Sequence, residues 1–454
     1  MTGMLARDTQ LTTGSGEEVT VTAFIGAGGQ GEVYQVRHRG AIRALKWYYP
    51  ASATDAQQAI VEDLVARRFG DDRFLWPLAL VTGDGFGYLM KLRPPNFEGL
   101  PALFCREVRI KPRELVTACI HLVEAYRALH SQGIAYRDIS QGNVFFDPAT
   151  GDVLVCDNDN AVVDGRQSGI EGTMDFMAPE LVRADPGASP STQTDLHSLA
   201  VLLFMMLMNH HPLKGAREYR IRLFDEKAQA QLYGREPVFV FDPADDSNRP
   251  VPGYHDTVLA TWDAAPGSLR ALFIRAFTDG LHQPGRRVRE TQWRDALSAV
   301  RDLIISCPGC GRLNWTDPGE IGSRSCWSCG TLLTLPPVVQ VTTVNPARTR
   351  MIALAPSARI YSHHLTPDPP RHDFTAAAAA AVVVEHPRVP GRLGLRNLTA
   401  GAWTARRPDG SSVEIPPGRS IDIIAGTRIQ LGTAAAEIRH QDPAERGPLT
   451  TGSC

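Results

Sequence analysis

The chain has 454 residues, 43% hydrophobic and 21% charged, with a formal net charge of -2. That length is too great for one compact core and sets an expectation of roughly two to four domains. With the charge near balance, nothing electrostatic points to nucleic acid or an anionic membrane as the main partner. The first ten residues are polar and lack the apolar core of a secretory signal. The longest apolar runs, at 199–208 and 376–384, fall short of the roughly 20 residues a bilayer span needs. Of eight cysteines, four form two close pairs, Cys307/Cys310 and Cys326/Cys329, while Cys105, Cys119, Cys156 and Cys454 are scattered. Paired spacing of this kind points to metal binding rather than disulfides, and so to a cytoplasmic setting.

Residues 1–18 are expected to be a flexible lead. Residues 19–25 alternate as a strand and run into Gly26, Gly28 and Gly31, spaced so that backbone amides can approach phosphates without a Cβ in the way. A dinucleotide-binding fold would need a helix next. Instead residues 32–37 alternate as a second strand, which makes a hairpin. A glycine hairpin over phosphates is the arrangement of protein kinases, and the following Ala41-Ile42-Arg43-Ala44-Leu45-Lys46 resembles that family's Val-Ala-Ile-Lys strand. The resemblance implies Val33 and Ala44 against adenine and Lys46 on the α- and β-phosphates. A helix is expected over 56–69, where Glu62 stands for the family's lysine partner. An exposed helix carboxylate is the alternative reading. Strands over 74–81 and 86–90 follow, with Met90 to Leu92 at the hinge contacting adenine.

A helix is expected over 112–132, with Pro112 in its first turn and Gly133 ending it. The run ALHSQGIAYRDISQGNVFF resembles the catalytic-loop region of protein kinases. It implies that Asp138 accepts the substrate hydroxyl and that Asn143 reaches magnesium. There are two departures: Tyr136 replaces the usual histidine, and Ser140 replaces the lysine that many serine/threonine kinases carry. A strand over 153–156 ends at Asp157-Asn158-Asp159, in the position of Asp-Phe-Gly. Asp157 is the expected magnesium ligand, and Asp159 takes the glycine's place. Residues 172–180, Gly-Thr-Met-Asp-Phe-Met-Ala-Pro-Glu, resemble the serine/threonine-kinase segment. Ser168 is a candidate phosphorylation site for Arg137 to pair with, or a plain loop serine; Thr173 is the other candidate. Asp195 is expected to brace the catalytic loop, cap its own helix, or both. Arg287 is expected to pair with Glu180. Helices over 269–277 and 293–305 close the lobe, and 214–263 matches nothing specific.

Two Cys-x-x-Cys knuckles separated by fifteen residues can close a tetrahedral zinc shell, a zinc ribbon over 306–334. Arg312 and Arg324 alone make no basic patch. From residue 335 short alternating runs between turns predict an all-β sandwich to 440, with 441–454 as a disordered tail. The stretch from Gly391 to Gly432 resembles a forkhead-associated domain, which reads phosphothreonine. That family's spaced serine and histidine after Gly391-Arg392 are not found, so docking without phosphate stands beside that reading. His363-His364 reads as a strand-end pair.

The expected architecture is therefore multidomain α+β: a bilobal kinase domain over 19–305 (lobes 19–92 and 93–305), then the ribbon and the sandwich. The order of these parts resembles bacterial kinases of a tellurite-resistance-associated phosphorylation triad. It implies a PP2C-type phosphatase and a von Willebrand factor A protein as partners, besides protein substrates. The cofactors expected are ATP, Mg2+ and structural Zn2+. The rival from another class is a pseudokinase scaffold, motivated by Ser140 and the lost Phe-Gly. A nucleic-acid-binding regulator acting through the ribbon is a third reading.

Overall fold

The computed structural model describes residues 3–164, 172–317, 324–334, 336–343 and 348–440. Ser168 and the 441–454 tail lie outside them. The chain forms two compact units, one of residues 1–258 with 272–293 and one of residues 259–271 with 294–454. The first unit thus stops short of the expected boundary at 305.

The first unit opens with a closed antiparallel barrel. Its strands are β1 (Gln10–Thr13), β2 (Glu18–Ala27), β3 (Gly31–His38), β4 (Ala41–Tyr48), β5 (Ala79–Thr82) and β6 (Phe86–Met90), in the order β1-β2-β3-β4-β6-β5. The lead is not loose throughout, because β1 pairs with both β2 and β5 and removes the sheet's free edges. The residues from Ala44 to Tyr48 are buried on both faces. Leu45 and Trp47 fill the barrel with Val19, Val21 and Val36. Ala44 and Tyr48 face the other way, with Val61, Tyr88, Met90 and Leu154.

Helix α1 (Asp55–Arg67) starts where the Thr54 hydroxyl accepts the Gln57 N–H at 3.2 Å. It buries Gln57, Val61 and Leu64, one stripe at helical spacing. The strand expected over 74–81 is split. Only Ala79–Thr82 joins the barrel, while Phe74 bridges to Val155, with Leu75 N–H on the Val155 carbonyl at 2.8 Å. Pro77, which lacks an N–H, lies between the two pieces.

The helical part is built on helices Pro112–His130 and Thr192–Met208, the second begun by a Ser191/Thr194 capping box. Short antiparallel pairs carry the loops: Val144–Phe146 pairs with Val153–Val155, and Ile134–Ala135 with Val162–Val163. The unassigned stretch after Lys214 holds helices Ala216–Tyr219 and Glu226–Ala230 and a π-turn, Gln231–Arg235. Buried Asn248 fastens it by donating to the Leu213 and Val238 carbonyls at 2.9 and 2.7 Å.

The second unit carries the four paired cysteines, a two-stranded pair of Ile305–Ser306 with Leu313–Asn314, and two larger antiparallel sheets. The six-stranded sheet runs Thr349–Ala353, Val338–Thr342, Ala434–Arg439, Arg428–Leu431, Trp403–Arg406 and Ser412–Ile415. The four-stranded sheet runs Arg359–Tyr361, Ala379–Glu385, Leu393–Asn397 and Ser420–Asp422. Alternate residues, among them Val341, Ile352, Leu395, Trp403 and Ile429, form one core between them. His363 and His364 follow the end of Arg359–Tyr361 and are buried, with His372 beside His363. No helix among the described residues is long and apolar enough to cross a membrane.

Candidate active site

The catalytic loop is held from behind. Gly133, at φ +68, turns the chain out of helix Pro112–His130. The Tyr136 and Arg137 N–H groups donate to the two Asp195 oxygens at 2.6 and 2.9 Å. Asp195 in turn meets His130 Nε2 at 3.1 Å, while His130 Nδ1 lies 2.5 Å from Glu290. Burial works against charge on this imidazole, but hydrogen bonds to Asp195 and Glu290 push it up to about 9, so it is an imidazolium at neutral pH. Tyr136, in place of histidine, is fully buried and donates its hydroxyl to the Cys156 carbonyl, joining this loop to the Asp157 segment.

Asp138 is the centre of that loop. Its Oδ1 accepts from the Thr173 N–H at 3.0 Å and hydroxyl at 2.9 Å. Its Oδ2 accepts from Asn143 Nδ2 at 2.9 Å. Gly172 is required beside it, since a Cβ there would lie 2.9 Å from the Arg137 carbonyl. Asn143 uses its amide nitrogen for both bonds to Asp138, on the carbonyl and the carboxylate. Its amide oxygen is the atom those bonds leave to a cation. The Cys156 N–H donates to the Asn143 carbonyl at 2.9 Å, which fixes Asp157 next door. Asp157 has left-handed backbone, φ 51 and ψ 44, and its side chain is 44% exposed. The Asn143 amide oxygen and the Asp157 carboxylate are oxygens of the kind magnesium takes.

Lys46 lies on β4, buried, with the tip of the glycine hairpin above it. The Gly28 N–H closes that turn on the Gly31 carbonyl, and Gly26 and Gly28 have open space where a Cβ would stand. Gln30 from the same turn accepts from Lys46 at 3.3 Å. Val33 pairs with Lys46 and Ala44 with Met90 in the barrel register. Ala44, Met90 and Leu154 belong to one apolar cluster, with Val33 packed against it.

Glu62 is not at this site. It is exposed on α1 and accepts from Gln58 at 2.9 Å. The buried stripe is Gln57, Val61 and Leu64, and a residue one place off that stripe is turned about 100° away. The partner of Lys46 is Asp159, at 2.9 and 3.0 Å, with Asp157 at 3.5 Å. Burial disfavours the lysine's charge, but the two carboxylates outweigh it and raise its pKa. The inward Gln57 position was open to periodicity alone. The inward turn of Asp159 was not, because it depends on a left-handed residue two places before it. Arg287 meets Glu180 at 2.7 Å and also donates to the Gly280 and Gln193 carbonyls.

The cysteines converge separately. The two knuckles repeat one geometry, with Gly309 and Ser328 N–H groups donating to Cys307 and Cys326 Sγ at 3.3 and 3.4 Å. All four sulfurs lie within 4.8 Å of one another, with pairs at 3.6 and 3.7 Å. Zinc–thiolate bonds of about 2.3 Å in a tetrahedron put sulfurs about 3.8 Å apart, so the set fits that ion. Arg324 is not offered to a ligand, since it donates to the Asp263 and Ala265 carbonyls.

The sequence matches the protein kinase domain family over residues 19–245, half of the chain. It is 26% identical over 228 residues to serine/threonine-protein kinase mos of Patiria pectinifera, covering 47% of this chain and 63% of that one. It is 30% identical over 217 residues to protein kinase C delta type of Mus musculus, covering 44% and 31%. The chain thus spans less than two thirds of the length of either relative. The family match covers the glycine hairpin, Lys46, the catalytic loop and Asp157 alike, and the chain belongs to the protein kinase family.

Proposed function

We propose that this chain is an ATP-dependent serine/threonine protein kinase. The observation that carries the reading is Asp138, held on one oxygen by Thr173 and on the other by Asn143, within a loop tied to Asp157. Asp138 receives the substrate hydroxyl and takes its hydrogen bond, which orients the oxygen for attack on the γ-phosphate. Lys46 and the backbone amides of the Gly26–Gly31 hairpin hold the phosphates, and Val33, Ala44 and Met90 hold adenine. Asn143 and Asp157 supply the oxygens for Mg2+, which when bound neutralises phosphate charge. The similarity to serine/threonine-protein kinase mos supports that hydroxyl class.

Cys307, Cys310, Cys326 and Cys329 hold a structural zinc ion, for which four thiolates leave no open position. The sandwich serves as a docking module of forkhead-associated type. The chain works in bacterial cytoplasmic signalling beside a PP2C-type phosphatase and a von Willebrand factor A protein, the partners its domain order implies. The test is transfer of radiolabelled phosphate from magnesium ATP to a protein acceptor, with Asp138→Asn as the comparison. Labelling by the native chain alone supports the kinase. Equal background in both would leave the pseudokinase scaffold.

A further inference from the structure

Asp159 stands where the family's third metal-loop residue is a glycine, yet it is fully enclosed. Its carboxylate accepts four hydrogen bonds, two from Lys46 Nζ at 2.9 and 3.0 Å, one from the Tyr48 hydroxyl at 2.5 Å and one from the Tyr88 hydroxyl at 3.0 Å. An ionised carboxylate offers about four lone-pair directions, and the four bonds occupy them. Every partner comes from β4 or β6. Gln57 of α1 only supports the set, donating to the Tyr48 hydroxyl at 3.2 Å and to the Asp159 carbonyl at 3.3 Å. Among the described residues no carboxylate of α1 meets Lys46, and Glu62 is directed to Gln58.

We infer that Asp159 is the positioning residue of Lys46, replacing a carboxylate from α1, and that Tyr48 and Tyr88 lock it in place. The inference rests on the kinase reading for the role of Lys46. Its consequence is that the lysine clamp joins the barrel directly to the Asp157 segment. Movement of α1, which carries no charge in the clamp, then does not disengage Lys46. Lys46 and Asp157 are set by a single ion-pair network, so the phosphate clamp and the cation ligands form together.

The test is a double-mutant cycle of Asp159→Asn and Lys46→Met in the full chain. Two readouts are used: kcat and KM for ATP with magnesium, and equilibrium binding of a fluorescent ATP analogue in EDTA. Displacing a group from its working geometry can cost about a hundredfold. Asp159→Asn is therefore expected to lower kcat/KM by that order and to weaken analogue binding. Neither effect should add to that of Lys46→Met, because both act through one ammonium. Glu62→Gln is expected to match the native chain in both readouts. Additive losses, native behaviour of Asp159→Asn, or a Glu62→Gln loss of equal size would each overturn the inference. Should Asp159→Asn fail to fold, Tyr48→Phe with Tyr88→Phe removes only the two hydroxyls and is held to the same non-additivity with Lys46→Met. A native chain that transfers no phosphate would sink the kinase reading, while the binding arm would still judge Asp159.

Discussion

At the scale of single residues, the site separates two carboxylates that are two positions apart. Asp157 is partly exposed and Asp159 has no exposure at all, because the left-handed turn at Asp157 sends the next residues inward. One carboxylate is left for a cation and the other is spent on Lys46. Asp138 is different again: its oxygens accept from neutral donors, the Asn143 amide and the Thr173 N–H and hydroxyl. Replacing it by asparagine removes the acceptor and keeps the shape. Positioned acid–base groups contribute about 10²- to 10⁴-fold, and a loss of that order in kcat is expected, with binding of the ATP analogue unchanged. Steady-state kinetics beside fluorescence titration would decide it. A matching loss of nucleotide affinity would show that Asp138 shapes the pocket instead. Ser140 is buried just ahead of the Gln141–Asn143 turn, so the loop brings no cation of its own to the phosphate at this position.

At the scale of elements, ion pairs with little exposure tie together segments that are far apart in the chain. Arg287 reaches from beyond the helical core to Glu180 at the end of the activation segment, with 2% of its side chain exposed. Removing one partner of a buried pair costs about 3–5 kcal/mol. Arg287→Ala is therefore expected to lower the first unit's stability by about that much in urea unfolding. A change below 1 kcal/mol would mean that the pair is only decorative. His130 couples helix Pro112–His130 to Asp195 and to Glu290. Its pKa is raised to about 9, above the free value of about 6.5. The stabilisation is then complete below about pH 6.5 and is lost as pH rises through 9. The melting temperature of the native chain should exceed that of His130→Gln by several degrees at pH 6, and the gap should close by pH 10. A gap that stays constant would remove the imidazolium from the account.

At the scale of the whole molecule, the two units rely on different sources of order. The first is built on a closed barrel and long buried helices, the second on a sandwich core and a four-sulfur cluster. Among the described residues the cluster's backbone makes two-residue strands, Ile305–Ser306 and Leu313–Asn314, and one isolated bridge. Metal binding there is folding energy, apparently about 10 kcal/mol or more for structural zinc sites. Mass spectrometry of the native chain should find one bound zinc, and Cys326→Ser should lose it. Chelation should lower the melting of the second unit and leave binding of the ATP analogue intact. A native chain purified without metal and unmoved by chelator would overturn the zinc assignment.

Much was legible before any coordinates. The glycine hairpin, the Lys46 strand, the Asp138/Asn143 loop and the paired cysteines are local patterns, and backbone chemistry within a few residues is enough to read them. The alternating strands after residue 338 showed an all-β module for the same reason. Strands such as Ala434–Arg439 and Leu393–Asn397 are hard to place from sequence alone, since alanine and glycine carry little strand signal and owe their place to packing between sheets. The partner of Lys46 was beyond local reading. Which carboxylate meets that ammonium depends on contact between β4 and a segment 113 residues away in the chain, and on the turn at Asp157. Sequence placed an acid on α1 by analogy, and the helix's own buried stripe turned that acid outward. Local patterns thus determined the chemical groups available. Tertiary packing decided which of two neighbouring aspartates is enclosed, because only the folded barrel supplies the two tyrosine hydroxyls and the lysine that make a buried carboxylate stable.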